Sequence, residues 1–257
     1  MGRKRPWIGT SWKMHKTRSE AQAYAQELSA SPLGRTDAAQ LFIIPPFPWI
    51  ADVAARLAGL PIKVGAQTMH WADEGAWTGE ISPLMIKDCG ATLVELGHSE
   101  RRTHFNETDE TVALKTAAAI KHGLTALVCV GDTREEVDAG RTAEVLERQV
   151  KAALSLIHPS QAGGVIIAYE PVWSIGEGGT PAAPDFADRQ HEMIKAVTRA
   201  VVGQDLPVLY GGSVNPRNAC DLAAQPHIDG LFIGRSAWQA RSYLGIVQAV
   251  LDDLAAG

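Results

Sequence analysis

The chain has 257 residues, 46% of them apolar, and a formal charge of −5 from 24 basic and 29 acidic side chains mixed along its length. That length suits one domain, 1–257, while the mixed charge argues against a nucleic-acid partner and the lack of any run of about 18 apolar residues against a membrane one. Three cysteines without metal-ligand spacing (Cys89, Cys129 and Cys220) suggest neither a disulfide framework nor a metal site, and with no apolar stretch after the basic N-terminus they fit a cytoplasmic protein.

In chain order, eight short apolar runs read as strands: Trp7 to Trp12, Leu41 to Ile44, Ile62 to Ala66, Thr92 to Leu96, Ala126 to Val130, Val165 to Tyr169, Pro207 to Tyr210 and Ile228 to Gly234. Runs of this kind are buried on both faces. Helical stretches lie between them. The clearest spans Arg134 to Ile157, where Leu146, Val150, Ala153, Leu154 and Ile157 form one stripe. Such alternation implies parallel strands joined by right-handed crossovers, and eight units suggest a closed α/β structure, the (β/α)8 barrel. An open doubly wound sheet stays possible on pattern alone, although its G-x-G-x-x-G turn is missing after the first strand.

Barrels of this kind carry their chemistry just after each strand. The first run is followed by Lys13 and His15, the fourth by His98, Ser99, Glu100, Arg101 and Arg102. The sixth gives Glu170-Pro171-Val172-Trp173 and then a glycine-rich loop, 174 to 180. Gly211-Gly212-Ser213 and Gly234-Arg235-Ser236 close the last two runs and lead into helical patterns, so their N–H groups suit a phosphate. A lysine, a histidine and a carboxylate on one rim can remove a proton beside a carbonyl and stabilise the oxyanion that results. Taken singly, Glu170 could be a surface carboxylate, His98 a structural histidine and Lys13 a solvated cation. Pro171 argues for Glu170, because it fixes the backbone directly after the carboxylate. Glu100, Arg101 and Arg102 read as rim residues tied by ion pairs.

The motifs Trp12-Lys13-Met14, Gly97-His98-Ser99-Glu100-Arg101, Ala168-Tyr169-Glu170-Pro171-Val172-Trp173, Tyr210-Gly211-Gly212-Ser213-Val214 and Asp229-Gly230 occur in an order and spacing that resemble the triosephosphate isomerase family. The likeness runs from Gly9 to Ser236. It implies that Glu170 abstracts the proton, Lys13 stabilises the negative charge, a neutral His98 polarises the carbonyl, and Glu100 supports the lysine. It further implies that loop 174–180 closes over the phosphate of a small phosphorylated ketose, with Gly176, Ser213, Gly234 and Arg235 offering N–H donors and Tyr210 latching the lid. Closure would keep water from the enediol. The segment 67–80, including Thr78, resembles the loop that members insert into a neighbouring subunit, which implies a homodimer. No metal or organic cofactor is needed for this proton transfer.

Departures from the three-carbon enzyme cluster around the substrate. Ser11 stands for an asparagine, His15 for another, and Arg235 for a glycine, while the lid carries Glu177, Gly179 and Pro181. Gly179 is expected to add freedom at the closing hinge and Pro181 to remove it. With Gly9-Thr10-Ser11, His70-Trp71-Ala72-Asp73 and Ile233-Gly234-Arg235-Ser236-Ala237-Trp238, the chain is similar to the branch of the family that interconverts L-erythrulose 1-phosphate and D-erythrulose 4-phosphate. Ser11 would supply room and a hydroxyl partner for the larger sugar. The alternatives are the ordinary three-carbon isomerase, a non-catalytic phosphate-binding barrel, and an aldolase using Lys13 as a Schiff-base nucleophile.

Overall fold

Each of the eight apolar runs forms a strand in the computed structural model, which describes residues 5–176 and 178–256. The strands are β1 (Trp7–Ser11), β2 (Gln40–Ile44), β3 (Ile62–Ala66), β4 (Leu93–Leu96), β5 (Thr125–Val130), β6 (Val165–Tyr169), β7 (Val208–Tyr210) and β8 (Gly230–Ile233). They are parallel and pair in sequence order, and β1 pairs with β8 from Trp7↔Gly230 to Thr10↔Ile233, so the sheet closes and the open-sheet alternative falls. The helices between and around them are α1 (Arg18–Ala30), α2 (Ile50–Arg56), α3 (Pro83–Asp88), α4 (Ser99–His104), α5 (Asp109–Lys121), α6 (Arg134–Asp138), α7 (Thr142–Leu154), α8 (Pro184–Val202), α9 (Ala219–Ala223) and α10 (Ala240–Ala256). Among the described residues no helix is long and apolar enough to cross a membrane.

Strand alternation divides the core into two layers. Phe42, Ile44, Leu93, Leu127, Cys129, Ile166, Ala168, Leu209 and Phe232 fill the barrel interior as one cluster. Their strand neighbours, such as Ile43, Val94, Val128 and Ile167, face outward into the larger cluster shared with the helices. The second layer receives the helical stripe recognised in the sequence. Leu146, Val150, Ala153 and Leu154 on α7 are fully buried there.

Two local expectations need correction. The stretch 134–157 is not one helix but α6 and α7, because Gly140 adopts a left-handed φ of 68°. There Arg141 N–H returns to the Glu136 carbonyl at 2.8 Å, closing α6 with the cap that such a glycine permits. Nor does Ser213 open a helix. Residues 216–218 form a turn, around which Asn218 accepts from Asn215 N–H at 2.8 Å and donates to the Ser213 carbonyl at 2.9 Å. These side-chain bonds compete with helical ones, and α9 starts only afterwards. After Gly234 the expectation holds in shorter form, as a single 3-10 turn, Arg235–Ala237.

Candidate active site

At the C-terminal end of the barrel the interior column becomes polar. Leu93 is followed two residues on by Glu95, and Ile166 and Ala168 by Glu170, while Ser11 and Lys13 end the inward face of β1. Together with the ends of β7 and β8 they enclose a cavity of about 200 Å3. Ser11, Lys13, His98, Glu170, Gly176, Ser213, Gly234 and Arg235 all line it. Of the residues singled out in the sequence, Glu100 and Tyr210 lie just outside that lining.

Lys13 has a left-handed backbone, φ 51°, an uncommon conformation for a residue with a Cβ. Gln67, at the end of β3, holds it by donating from Nε2 to the Lys13 carbonyl at 2.7 Å. The Lys13 ammonium pairs with Glu100 Oε1 at 2.7 Å. Burial pushes the Glu100 carboxyl up, but the hydrogen bond and charge of Lys13 outweigh burial and hold it below the usual range. Neighbouring ion pairs fix the rim as expected: Arg101 meets Glu107 at 2.6 Å and Arg102 meets Asp109 at 2.7 Å.

His98 caps α4, and its Nδ1 accepts from Glu100 N–H at 3.1 Å. That bond engages Nδ1 and leaves Nε2 as the ring nitrogen turned toward Glu170. Nε2 lies 3.2 Å from Glu170 Oε1. The other carboxylate oxygen of Glu170 accepts from Ser99 N–H at 3.2 Å. Backbone bonds to both sides steady this strand end: Glu170 N–H reaches the Val130 carbonyl at 2.7 Å, and Gly211 N–H the Tyr169 carbonyl at 2.8 Å. Gly211 packs closely against it, since a Cβ there would stand 3.0 Å from Glu170 Cγ, tighter than ordinary contact. The carboxylate is 2% exposed.

Two neighbours escaped the sequence reading. Cys129 lies beneath Glu170 inside the barrel, and burial, reinforced by the charges of Glu170 and Glu95, pushes its thiol well up. Glu95 is 2% exposed, and its Oε1 is 3.8 Å from His98 Nε2. Burial drives the Glu95 carboxyl up to about 7; the Glu170 charge adds to this, while His98, a hydrogen bond from Ser11 and the Lys13 charge oppose it. The available signal was a lone carboxylate inside an apolar strand, in phase with Leu93.

The far end of the cavity holds the glycine-containing turns. Ser213 N–H is bonded to Ser174 Oγ at 3.0 Å, and Ser174 is itself fully buried. In this conformation the first residue of loop 174–180 therefore occupies a donor that the sequence reading assigned to phosphate. Gly176 has a φ of 88°. At Gly179 a Cβ would lie 2.3 Å from the Ser174 carbonyl, so in this conformation close approach also demands a glycine. Glu177 lies outside the described residues. Tyr210 is fully buried behind the turn. The Ser174 hydroxyl and Ala182 amide face its phenol oxygen, but neither contact reaches good hydrogen-bond geometry.

In loop 67–80 the His70 ring stacks on Trp71, with centroids 4.1 Å apart, and leans on Trp77 at 4.5 Å. Thr78 is exposed beyond them. Trp238, which lines the cavity, donates from Nε1 to the Ser11 carbonyl at 3.0 Å and so ties the β8 end to the β1 end.

The family model described as triosephosphate isomerase matches residues 6–250. The L-erythrulose-1-phosphate isomerase of Brucella abortus biovar 1 (strain 9-941) is 56% identical over 242 residues, 94% of either chain. The proteins of that name from Rhizobium rhizogenes and Rhizobium meliloti are 55% and 54% identical, covering 95% of this chain and 94% and 96% of their own. With these likenesses added to the closed barrel and the grouping of Lys13, His98 and Glu170 at its C-terminal end, the chain belongs to the triosephosphate isomerase family.

Proposed function

We propose that the chain is a cofactor-independent ketose-phosphate isomerase, a single catalytic domain that converts L-erythrulose 1-phosphate to D-erythrulose 4-phosphate through a cis-enediol. The observation that carries this reading is the 3.2 Å approach of the Glu170 carboxylate to Nε2 of His98, in one cavity with Lys13 and the turns at Ser213 and Gly234. The names of the relatives, at 54–56% identity, support the four-carbon substrate.

The chemistry follows from that geometry. The ketose binds with its C2 carbonyl oxygen between His98 Nε2–H and the Lys13 ammonium. Glu170 removes the proton from C3, and the electron pair forms the C2–C3 double bond of an enediolate whose oxygen the two donors stabilise. Glu170 then returns a proton to C2 while the hydroxyl proton shifts from O3 to O2, and the carbonyl now stands at C3. A positioned base contributes about 10²–10⁴ in rate, and each oxyanion donor about 10²–10³. Glu100 supports Lys13 through their ion pair.

The amides of Gly176, Ser213, Gly234 and Arg235 hold the phosphate. Ser213 can do so only once Ser174 releases it, which couples phosphate binding to movement of loop 174–180. Tyr210 latches the closed lid, and the dry cavity protects the enediol from losing phosphate. The protein works as a homodimer through loop 67–80, with Thr78 reaching the partner's site. Apolar side chains left exposed around this rim support that assembly: Met14 is 95% exposed, Trp77 51% and Met85 54%. Its thiols, all unpaired, suit the cytoplasm.

Comparing kcat/KM for L-erythrulose 1-phosphate and dihydroxyacetone phosphate tests the reading. A hydroxyl partner left unsatisfied by the shorter sugar costs about 1–3 kcal/mol, so a preference for the tetrulose of about 5- to 150-fold is expected. A large preference for dihydroxyacetone phosphate would make the chain triosephosphate isomerase proper. Failure to exchange solvent deuterium into either ketose would leave only a phosphate-binding barrel.

A further inference from the structure

Glu95 has no task in the proposed reaction. It projects inward from β4, two residues past Leu93, and among the described residues its one ion-pair contact is His98, whose Nε2 lies 3.8 Å from Glu95 Oε1. Glu170 stands 3.2 Å from the same nitrogen. Two carboxyl groups therefore face one imidazole nitrogen, and atoms of all three side chains lie within 4.8 Å of one another. Glu95 and Glu170 are each 2% exposed and His98 6%.

Two carboxylates this close and this dry repel each other strongly, so one of them keeps a proton. Surroundings decide which. Glu170 accepts from Ser99 N–H at 3.2 Å, a bond that favours its ionised form. Around Glu95, Lys13 comes from the end of β1, Cys129 from β5 and Arg102 from α4. Lys13 is paired with Glu100 and Arg102 with Asp109, while burial keeps the Cys129 thiol protonated. On the other side β3 ends in the uncharged Gly65 and Gln67. Burial, opposed by His98 and reinforced by the Glu170 charge, drives the Glu95 carboxyl up to about 7.

Glu95 does not line the cavity, whereas His98 and Glu170 do, so it acts through them. The proposed reaction needs the Nε2–H of His98 for the enediolate oxygen. An ionised Glu95 draws that proton toward the barrel wall and sets a second negative charge beside the developing oxyanion. A neutral Glu95 does neither.

We propose that Glu95 carries a proton in the working enzyme and is a positioning residue: by staying neutral it leaves the Nε2–H of His98 to the substrate and the negative charge to Glu170, and its ionisation turns the site off. This deepens the isomerase reading given above and rests on it.

Glu95→Gln has nearly the shape of the neutral carboxyl and cannot ionise. For parent and variant, kcat and KM on L-erythrulose 1-phosphate and dihydroxyacetone phosphate are measured from about pH 6 to about pH 9, with pH-difference infrared spectra of the free proteins over the same range. Titration of the substrate phosphate is common to both enzymes and cancels in their ratio. The variant-to-parent ratio of kcat should rise at least about tenfold across this range, because the parent alone loses an oxyanion donor as pH rises. KM should change less, since that charge develops only in the transition state. The parent should show the carbonyl band of a protonated carboxyl at the acid end, lost at the alkaline end and absent from Glu95→Gln.

A ratio that stays flat with pH, even for a slow variant, means that Glu95 is merely structural and overturns its role while the isomerase reading stands. A missing band at the acid end overturns it too. Should the parent turn over neither ketose, the isomerase reading falls and this role with it, and the band still tells which state Glu95 is in. If Glu95→Gln fails to fold by circular dichroism, Glu170→Gln decides: removing the neighbouring charge should shift the loss of the band to lower pH, and an unmoved band overturns the proposal.

Discussion

Glu95→Gln is expected to stabilise the fold at pH 8 and to change it little at pH 4.5. In the folded chain, burial and then the Glu170 charge raise this carboxyl from 4.5 to about 7, against the opposing influence of His98, Ser11 and Lys13. A carboxyl raised by folding keeps its proton in the native state after the unfolded chain has released it. Stability from this group therefore falls as pH rises from about 4.5 to about 7 and stays low above that. The gap corresponds to about 3 kcal/mol, and because the group is fully buried, solvent screening does not reduce it much. An amide does not ionise and escapes this cost. Urea unfolding of parent and variant, at one protein concentration and at both pH values, measures it. The variant's advantage should be about 3 kcal/mol larger at pH 8 than at pH 4.5. Equal differences at the two pH values would refute the reasoning, since they would mean that Glu95 is as easily ionised in the fold as outside it.

Three further substitutions probe the site. Glu170→Gln should cut kcat by about 10² or more while KM stays within a few-fold, as loss of a general base requires; full turnover in steady-state assays would remove Glu170 from its role. Gly211→Ala places a methyl group 3.0 Å from Glu170 Cγ, so kcat should fall while inhibition by inorganic phosphate is unchanged; an unchanged kcat would show that the carboxylate tolerates displacement. Ser174→Ala frees Ser213 N–H, and the inhibition constant for inorganic phosphate should improve about fivefold, the worth of one hydrogen bond of about 1 kcal/mol; weaker phosphate binding would mean that Ser174 helps hold the anion instead.

All eight strands could be read from the chain, because a parallel sheet buried on both faces leaves unbroken apolar runs. Lys13, His98 and Glu170 were legible for a related reason: each follows such a run within two residues, where barrel geometry brings distant segments to one rim. What stayed hidden depends on contacts between segments. The division of stretch 134–157 required knowing that Gly140 takes a left-handed turn, whereas the periodicity on either side of it continues. The occupation of Ser213 N–H by Ser174 joins residues 39 apart in sequence. Glu95 was hidden differently, since within Thr92 to Leu96 it looks like an interruption of an apolar strand. Counting by twos from Leu93 would have turned it inward beside the reactive groups.

That counting has a wider consequence. Floor and chemistry share a single column of inward side chains, so Ser11, Glu95 and Glu170 are placed by strand phase as much as by their own loops. Adding one residue within β1, β4 or β6 would exchange the two faces from that point on and deliver the reactive group to the helix layer. Adding two would restore the face but lift the group by about 7 Å, beyond reach of a bound sugar. Length variation meant to reshape substrate scope in this scaffold therefore belongs after the last inward residue of each strand, where extra chain alters the walls of the cavity and spares its reactive floor.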